Sequence, residues 1–202
     1  MIINELKSIS SIIIHVKPYI GILWNSLYKV LNTYKTSITP LTFNPKQMNT
    51  NEQLINHFYQ SFKNRDYKGM QECYHDDAVF NDEAFTNLNS KQVKAMWEMF
   101  CSNPANEMQV NYKNIQAQGD KVTAEWDAKY LFTLTGRRVH NHIQAEFEFK
   151  DGKILRHTDR FDFPKWAKQV FGLKGLLIAY FPPFTNAFKG KVQKTLDRFM
   201  AK

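Results

Sequence analysis

The stretch RVHNHIQAEFEFKDGKILRHTDRFD, Arg138 to Asp162, alternates along its first half. Val139, Asn141, Ile143, Ala145, Phe147 and Phe149 fall on one side, and His140, His142, Gln144, Glu146 and Glu148 on the other. A period of two over that length predicts a strand with one buried face. Lys150-Asp151-Gly152-Lys153 carries Asp-Gly, a hairpin turn signal, and Ile154 to Phe163 reads as the returning strand. Asn141 is the one polar residue in the apolar row. A buried amide needs partners, so it is either pocket-facing or a satisfied core amide.

The neighbouring segments extend the pattern. Lys121 to Thr135 alternates with Val122, Ala124, Trp126, Ala128, Tyr130 and Phe132 on one face. Gly119-Asp120 turns back to a strand over Met108–Gln118, and Thr135-Gly136-Arg137 turns forward into the hairpin. Together these make a four-stranded antiparallel meander.

Helices precede it. Asn51 to Lys63 carries Leu54, Ile55, Phe58, Tyr59 and Phe62 on one face, with Thr50 or Asn51 as its cap. A short helix follows over Tyr67–His75, then a strand over Ala78–Asn81 with Asp82 and Glu83 at its end. Ser90 caps a third helix, Lys91–Cys101, bearing Val93, Met96, Trp97 and Phe100. After Pro164 come a short helix with Trp166 and Val170, an apolar run Leu176–Phe184 ending in Pro182-Pro183, and a basic amphipathic helix over Ala187–Ala201. Helices first and strands after is an α+β pattern. A curved sheet wrapped around the helices forms a cone, and the mouth of a cone is a natural pocket.

The net charge of +8 suggests a polyanion partner until it is divided along the chain. Residues 1–47 carry five Lys against Glu5, and residues 164–202 eight Lys/Arg against Asp197. Residues 48–163 hold 14 basic and 17 acidic groups, so the sheet-bearing middle is mildly acidic. That distribution argues against nucleic acid as partner. Basic ends can touch anionic lipid, but a solvated charged surface is the commoner explanation, and membrane contact is not favoured. Cys73 and Cys101 have no metal-ligand spacing and suit free thiols in a reducing, cytoplasmic setting. No metal, cofactor or phosphate-loop signature is present.

Residues 1–47 differ in character. Ile12-Ile13-Ile14 is broken by His15, Lys17 and Pro18, too short to span a bilayer. Gly21–Tyr34 could form a helix, and Thr36–Lys46 with Pro40 and Pro45 reads as a linker. A weakly helical or disordered leader, a surface anchor, and a chain truly starting at Met48 all fit. The domain itself is expected over residues 48–184, with a basic helix over 185–202.

Several words in the chain resemble the nuclear transport factor 2-like superfamily, in particular its SnoaL-like branch. They are Asn64-Arg65-Asp66, the strand Ala78-Val79-Phe80-Asn81-Asp82, Met96-Trp97, Thr135-Gly136-Arg137 with Val139-His140-Asn141, and His157-Thr158-Asp159-Arg160-Phe161-Asp162 with Trp166 and Gly172. The resemblance covers about Asn51 to Pro183. It implies a cone-shaped antiparallel sheet around N-terminal helices, a cystatin-like roll, and a homodimer formed through the outer sheet face with Glu125, Lys129, His140, His142 and Glu146.

The resemblance also implies site residues. By analogy with ketosteroid isomerases, Asp82 stands at the position of the proton-transfer base. Their oxyanion-hole donors fall at Phe58, with Tyr59 beside it, and near Ala145, where this chain carries no donor. The epoxide-hydrolase trio would draw on Asp82, Arg156 or Arg160, and Asp127 or Asp159. Phe58, Tyr59, Trp97, Trp126, Tyr130 and Asn141 are the expected ligand contacts. Asp82 can equally cap a turn, and the aromatic residues can equally be core. His157 and Asp159, on one strand face, can be an acid–base couple or a stitch between strand and helix. The function implied is binding of a small apolar compound. Either the protein acts on a carbonyl-bearing substrate as an isomerase, cyclase or hydrolase, or it is a non-catalytic module for a lipid-like ligand or a protein.

Overall fold

A computed structural model describes residues 49–202. The expectations for the leader fall outside these residues. The first helix, α1, spans Thr50–Lys63 and is capped one residue earlier than the sequence suggests. Asn49 Oδ1 accepts from the Glu52 amide at 2.8 Å, and Glu52 accepts from the Asn49 amide at 3.1 Å. This is a capping box, which satisfies two otherwise unpaired N–H groups. Glu52 also accepts from the Ala117 amide at 2.8 Å, so the cap ties the helix to the sheet.

The short helix α2 covers Tyr67–Glu72, and strand β1 begins earlier than the apolar pattern suggests, at Tyr74, running to Asn81. A two-residue strand β2, Leu88–Asn89, leads into α3, Ser90–Cys101. Here too the cap lies one residue upstream: Asn89, not Ser90, closes a second capping box, with Gln92. The Ser90 hydroxyl instead donates to the His75 carbonyl at 2.9 Å.

The meander follows as β3 (Gln109–Gln118), β4 (Lys121–Phe132), β5 (Arg137–Lys150) and β6 (Lys153–Arg160). Between β5 and β6, Asp151 and Gly152 both take positive φ, 53° and 71°. Two left-handed residues in succession match the strand twist, and Asp-Gly is suited to supply them. The six strands lie in the order β2-β1-β6-β5-β4-β3. All neighbours are antiparallel except one pair: β1 runs parallel to β6, with Asn81 opposite Thr158.

The register places side chains as the alternation predicts. Trp126 pairs with Ile143, and Ala128 with Asn141. Val139, Ile143, Ala145 and Phe147 are buried, while His140 and His142 are exposed. The buried faces of α1, α3 and the sheet make one core that includes Phe58, Tyr59, Phe62, Trp97, Trp126 and Phe147.

Residues 137–143 of β5 extend beyond β6, whose pairing starts at Gln144. Helix α4, Phe163–Phe171, lies against this overhang and forms a second cluster: Val139, Phe163, Trp166, Ala167 and Val170. Helix α5, Lys174–Tyr180, continues it. The last helix, α6, spans Pro182–Met200, so Pro182-Pro183 opens this helix as well as ending the apolar run. A proline fits a first turn because the N–H it lacks would have had no partner there.

Candidate functional site

Asp82 follows directly on β1. Its Oδ1 accepts from the amides of Ala84 at 2.7 Å and Phe85 at 2.5 Å. The turn-capping reading of this residue is therefore realised by one oxygen alone. Among the described residues, no hydrogen bond engages Oδ2. Burial pushes the Asp82 carboxyl up to about 7, against the pull of the two amides; the Asp159 and Glu83 carboxylates add to the rise. The ionised form is disfavoured because desolvation outweighs the backbone dipoles.

His157 and Asp159 are both fully buried, and His157 Nε2 lies 3.0 Å from Asp159 Oδ1. A directed chain of bonds runs through them. Trp97 Nε1 donates to the Tyr74 hydroxyl oxygen at 2.9 Å. The Tyr74 hydroxyl lies 2.6 Å from His157 Nδ1. An indole N–H can only donate, so the Tyr74 oxygen accepts from it, and the tautomer that gives every group a partner sends the Tyr74 proton to Nδ1. Nε2 then carries the imidazole proton and gives it to Asp159, which also accepts from Trp126 Nε1 at 3.3 Å. Every donor points toward the Asp159 carboxylate. The His157 ring stacks on Trp97 and Tyr74.

Tyr130, half-buried near the end of β4, accepts from Trp166 Nε1 at 2.7 Å. Burial is the main reason that its hydroxyl is pushed up to about 12, and the Asp82 charge adds to the effect. The hydroxyl keeps its proton and, after accepting from Trp166, still has that proton to donate.

The other expected ligand residues divide. Phe58, Tyr59 and Trp97 lie deep in the core, with Phe58 meeting Tyr59, Tyr74, Trp97, Phe147 and His157 edge-on. The Tyr59 hydroxyl is the one buried side-chain polar atom without a partner among the described residues. Asn141 is half-buried and borders a surface groove of about 380 Å³ lined also by His142, Arg160, Phe161 and Lys165. A second groove of about 270 Å³ passes Tyr130, Val139 and Gln169.

The epoxide-hydrolase trio does not assemble. Arg156 and Arg160 are exposed, with Arg156 paired to Glu148 at 3.4 Å. Asp127 lies on the outer face between His140 and His142, at 3.1 and 3.3 Å. The thiols of Cys73 and Cys101 are buried, and burial raises them to about 12 and about 11, which suppresses thiolate nucleophilicity. The Tyr130–Trp166 pair was not legible as chemistry in the sequence. The two residues stand 36 positions apart, and only the fold of α4 onto β5 joins them.

The sequence pattern of the SnoaL-like domain matches residues 55–157. Among curated proteins none matches the chain. Solved structures do. An LEH-like epoxide hydrolase from M. tuberculosis superimposes with a TM-score of 0.52 at 21% identity, over 66% of this chain and 96% of its own. TerC, co-crystallised with polyporic acid, gives 0.50 at 18%, over 60% and 98%. TsrD from Streptomyces laurentii gives 0.53 at 19%, over 61% and 96%. At these identities the likeness is one of fold.

Proposed function

This chain belongs to the SnoaL-like domain family, and we propose that it binds a small apolar, carbonyl-bearing compound and acts on it with Asp82 as general base. The observation that carries this reading is a pairing of complementary groups. Asp82 has one oxygen anchored and one free, and it is poised near neutrality. Tyr130, close enough to feel its charge, holds a proton to donate. A base needs a conjugate acid near working pH. Oδ2 would take a proton from the carbon next to the carbonyl, and Tyr130 would hydrogen-bond the oxygen as it gains charge. Return of the proton at another carbon gives isomerisation; attack of the enolate on a second carbonyl gives cyclisation. Hydrolysis would use the same base on a water. Trp126 and Trp166 supply apolar walls, and Asn141 a hydrogen bond to a substrate oxygen. In this reading His157 and Asp159 hold the buried carboxylate that keeps Asp82 protonatable.

Solvent deuterium exchange into a panel of apolar ketones, followed by NMR, tests the proposal. Asp82→Asn should slow exchange by about 10²–10⁴-fold, and Tyr130→Phe by less, with affinity within a few-fold. Exchange that is unaffected by Asp82→Asn sinks the base assignment.

A second reading, a non-catalytic binding module, draws on the dense packing around Phe58, Trp97 and His157 and on the turn that Asp82 caps. In that case no exchange occurs with any ketone, and Asp82→Asn alters only stability. Under either reading a second copy of this chain is the proposed partner, through the outer sheet face.

A further inference from the structure

Helix α5 has the sequence KGLLIAY and only one charged side chain, Lys174. Its inward side is occupied: Gly175 is buried, and Ile178 and Ala179 pack on the Trp166 cluster. Its opposite side is apolar as well. Leu173, Leu177 and Tyr180, at helical spacing, are 76%, 48% and 67% exposed. Phe181 and Phe184 continue the surface past the turn, 53% and 54% exposed, with their rings 6.5 Å apart. A helix that is apolar all round belongs in an apolar medium on both sides. Five large apolar side chains in twelve residues exceed the scattered exposure normal for a water-facing surface.

The segment that carries this patch is cationic. Residues 164–202 carry Lys165, Lys168, Lys174, Lys189, Lys191, Lys194, Arg198 and Lys202, against a single acid, Asp197. None of the eight forms an ion pair within the described residues. Asp197 instead accepts from Gln193 at 2.9 Å. No helix among the described residues is long and apolar enough to cross a membrane. An apolar ridge with aromatic residues, in a segment of cations that are unpaired among the described residues, fits a surface that is greasy below and negative above.

We propose that the Leu173–Phe184 ridge docks on the face of an anionic lipid bilayer. Leu173, Leu177, Phe181 and Phe184 would enter the headgroup boundary, Tyr180 would sit at its level, and the lysines would meet lipid phosphates and carboxylates. None of the ridge residues belongs to the outer sheet face, so docking does not use that face. It stands whatever Asp82 does.

Co-sedimentation of the full chain with vesicles provides the test. Binding is expected to vesicles with about 30% phosphatidylserine in phosphatidylcholine and to be weak on phosphatidylcholine alone. About 0.5 M salt should release most of it. Leu173→Glu with Phe181→Glu should lower the affinity by about tenfold or more, with an unchanged circular dichroism spectrum. Should that pair disturb folding, Phe181→Trp read with brominated lipids serves instead: quenching is expected on anionic vesicles. No sedimentation with either vesicle overturns the proposal. Equal binding by the Glu pair, or absence of bromine quenching, means that charge alone acts and overturns insertion of the ridge. A shift from dimer to monomer on Leu173→Glu assigns the ridge to a second copy and overturns it as well.

Discussion

Gln169 holds both backbone groups of His140: its Nε2 donates to the carbonyl at 3.0 Å, and its Oε1 accepts the amide N–H at 2.8 Å. The side chain does what a strand would do on the part of β5 that β6 does not reach. Arg137 Nε donates to the Gln169 carbonyl and closes the same edge. Gln169→Leu keeps the bulk and removes both bonds. Because the edge is exposed and water can replace them, the loss should be about 1 kcal/mol. Urea denaturation should show a lower midpoint with an unchanged slope; no change would mean that apolar packing alone holds α4.

The Asp82 carboxyl rises from its ordinary 3.8 to about 7 in the folded chain. The folded state thus holds that proton more tightly than the unfolded one. The associated stability is complete below about pH 4, is lost between about pH 4 and 7, and stays lost above. Asp82→Asn cannot ionise and keeps an oxygen for the two amides. Relative to the native chain it should gain stability across that window, on the order of 4 kcal/mol at most. Parallel stability–pH curves for the two proteins would contradict the assignment.

Tyr74 both accepts from Trp97 and donates toward His157 inside the core. Tyr74→Phe fits sterically but leaves an indole N–H and an imidazole nitrogen buried without a partner. The expected cost is about 2–4 kcal/mol. Calorimetry should record a clear fall in melting temperature. A near-neutral result would mean that water enters the relay.

The outer face presents Glu125, Asp127, Lys129, His140 and His142, with His140 and His142 both on Asp127. Pairing of two copies through this face should give a dimer by light scattering at micromolar concentration. Exposed ion pairs contribute only about 0–1 kcal/mol each, so the interface should weaken modestly with salt. A monomer at that concentration would rule out the pairing.

The meander, its register and its Asp-Gly turn were legible in the sequence because a buried strand face imposes a period of two that chemistry alone displays. The caps were read one residue late. Thr50 and Ser90 look like caps, yet Asn49 and Asn89 each sit three residues before a Glu or Gln, and that reciprocal pairing decides. Asp82, His157 and Asp159 could be named from the sequence. The sequence did not reveal that one Asp82 oxygen is occupied and the other free, or that Tyr74 and Trp97 complete the relay. Those facts depend on contacts between segments far apart in the chain, which no local pattern encodes.

The parallel pairing of β1 with β6 also governs the order of assembly. β1 ends at Asn81, but its only long partner among the described residues begins at Lys153. During synthesis α1, α2, β1 and α3 all leave the ribosome before the strand that must lie beside β1 exists. Closing so long a loop is slow. Until then nothing joins β1 to the β3–β5 meander, and the core around Phe58, Phe80 and Trp97 is incomplete, a state open to chaperones and to aggregation. A chain stopped before Lys153 would keep most of the main core residues and still lack the strand that seats them.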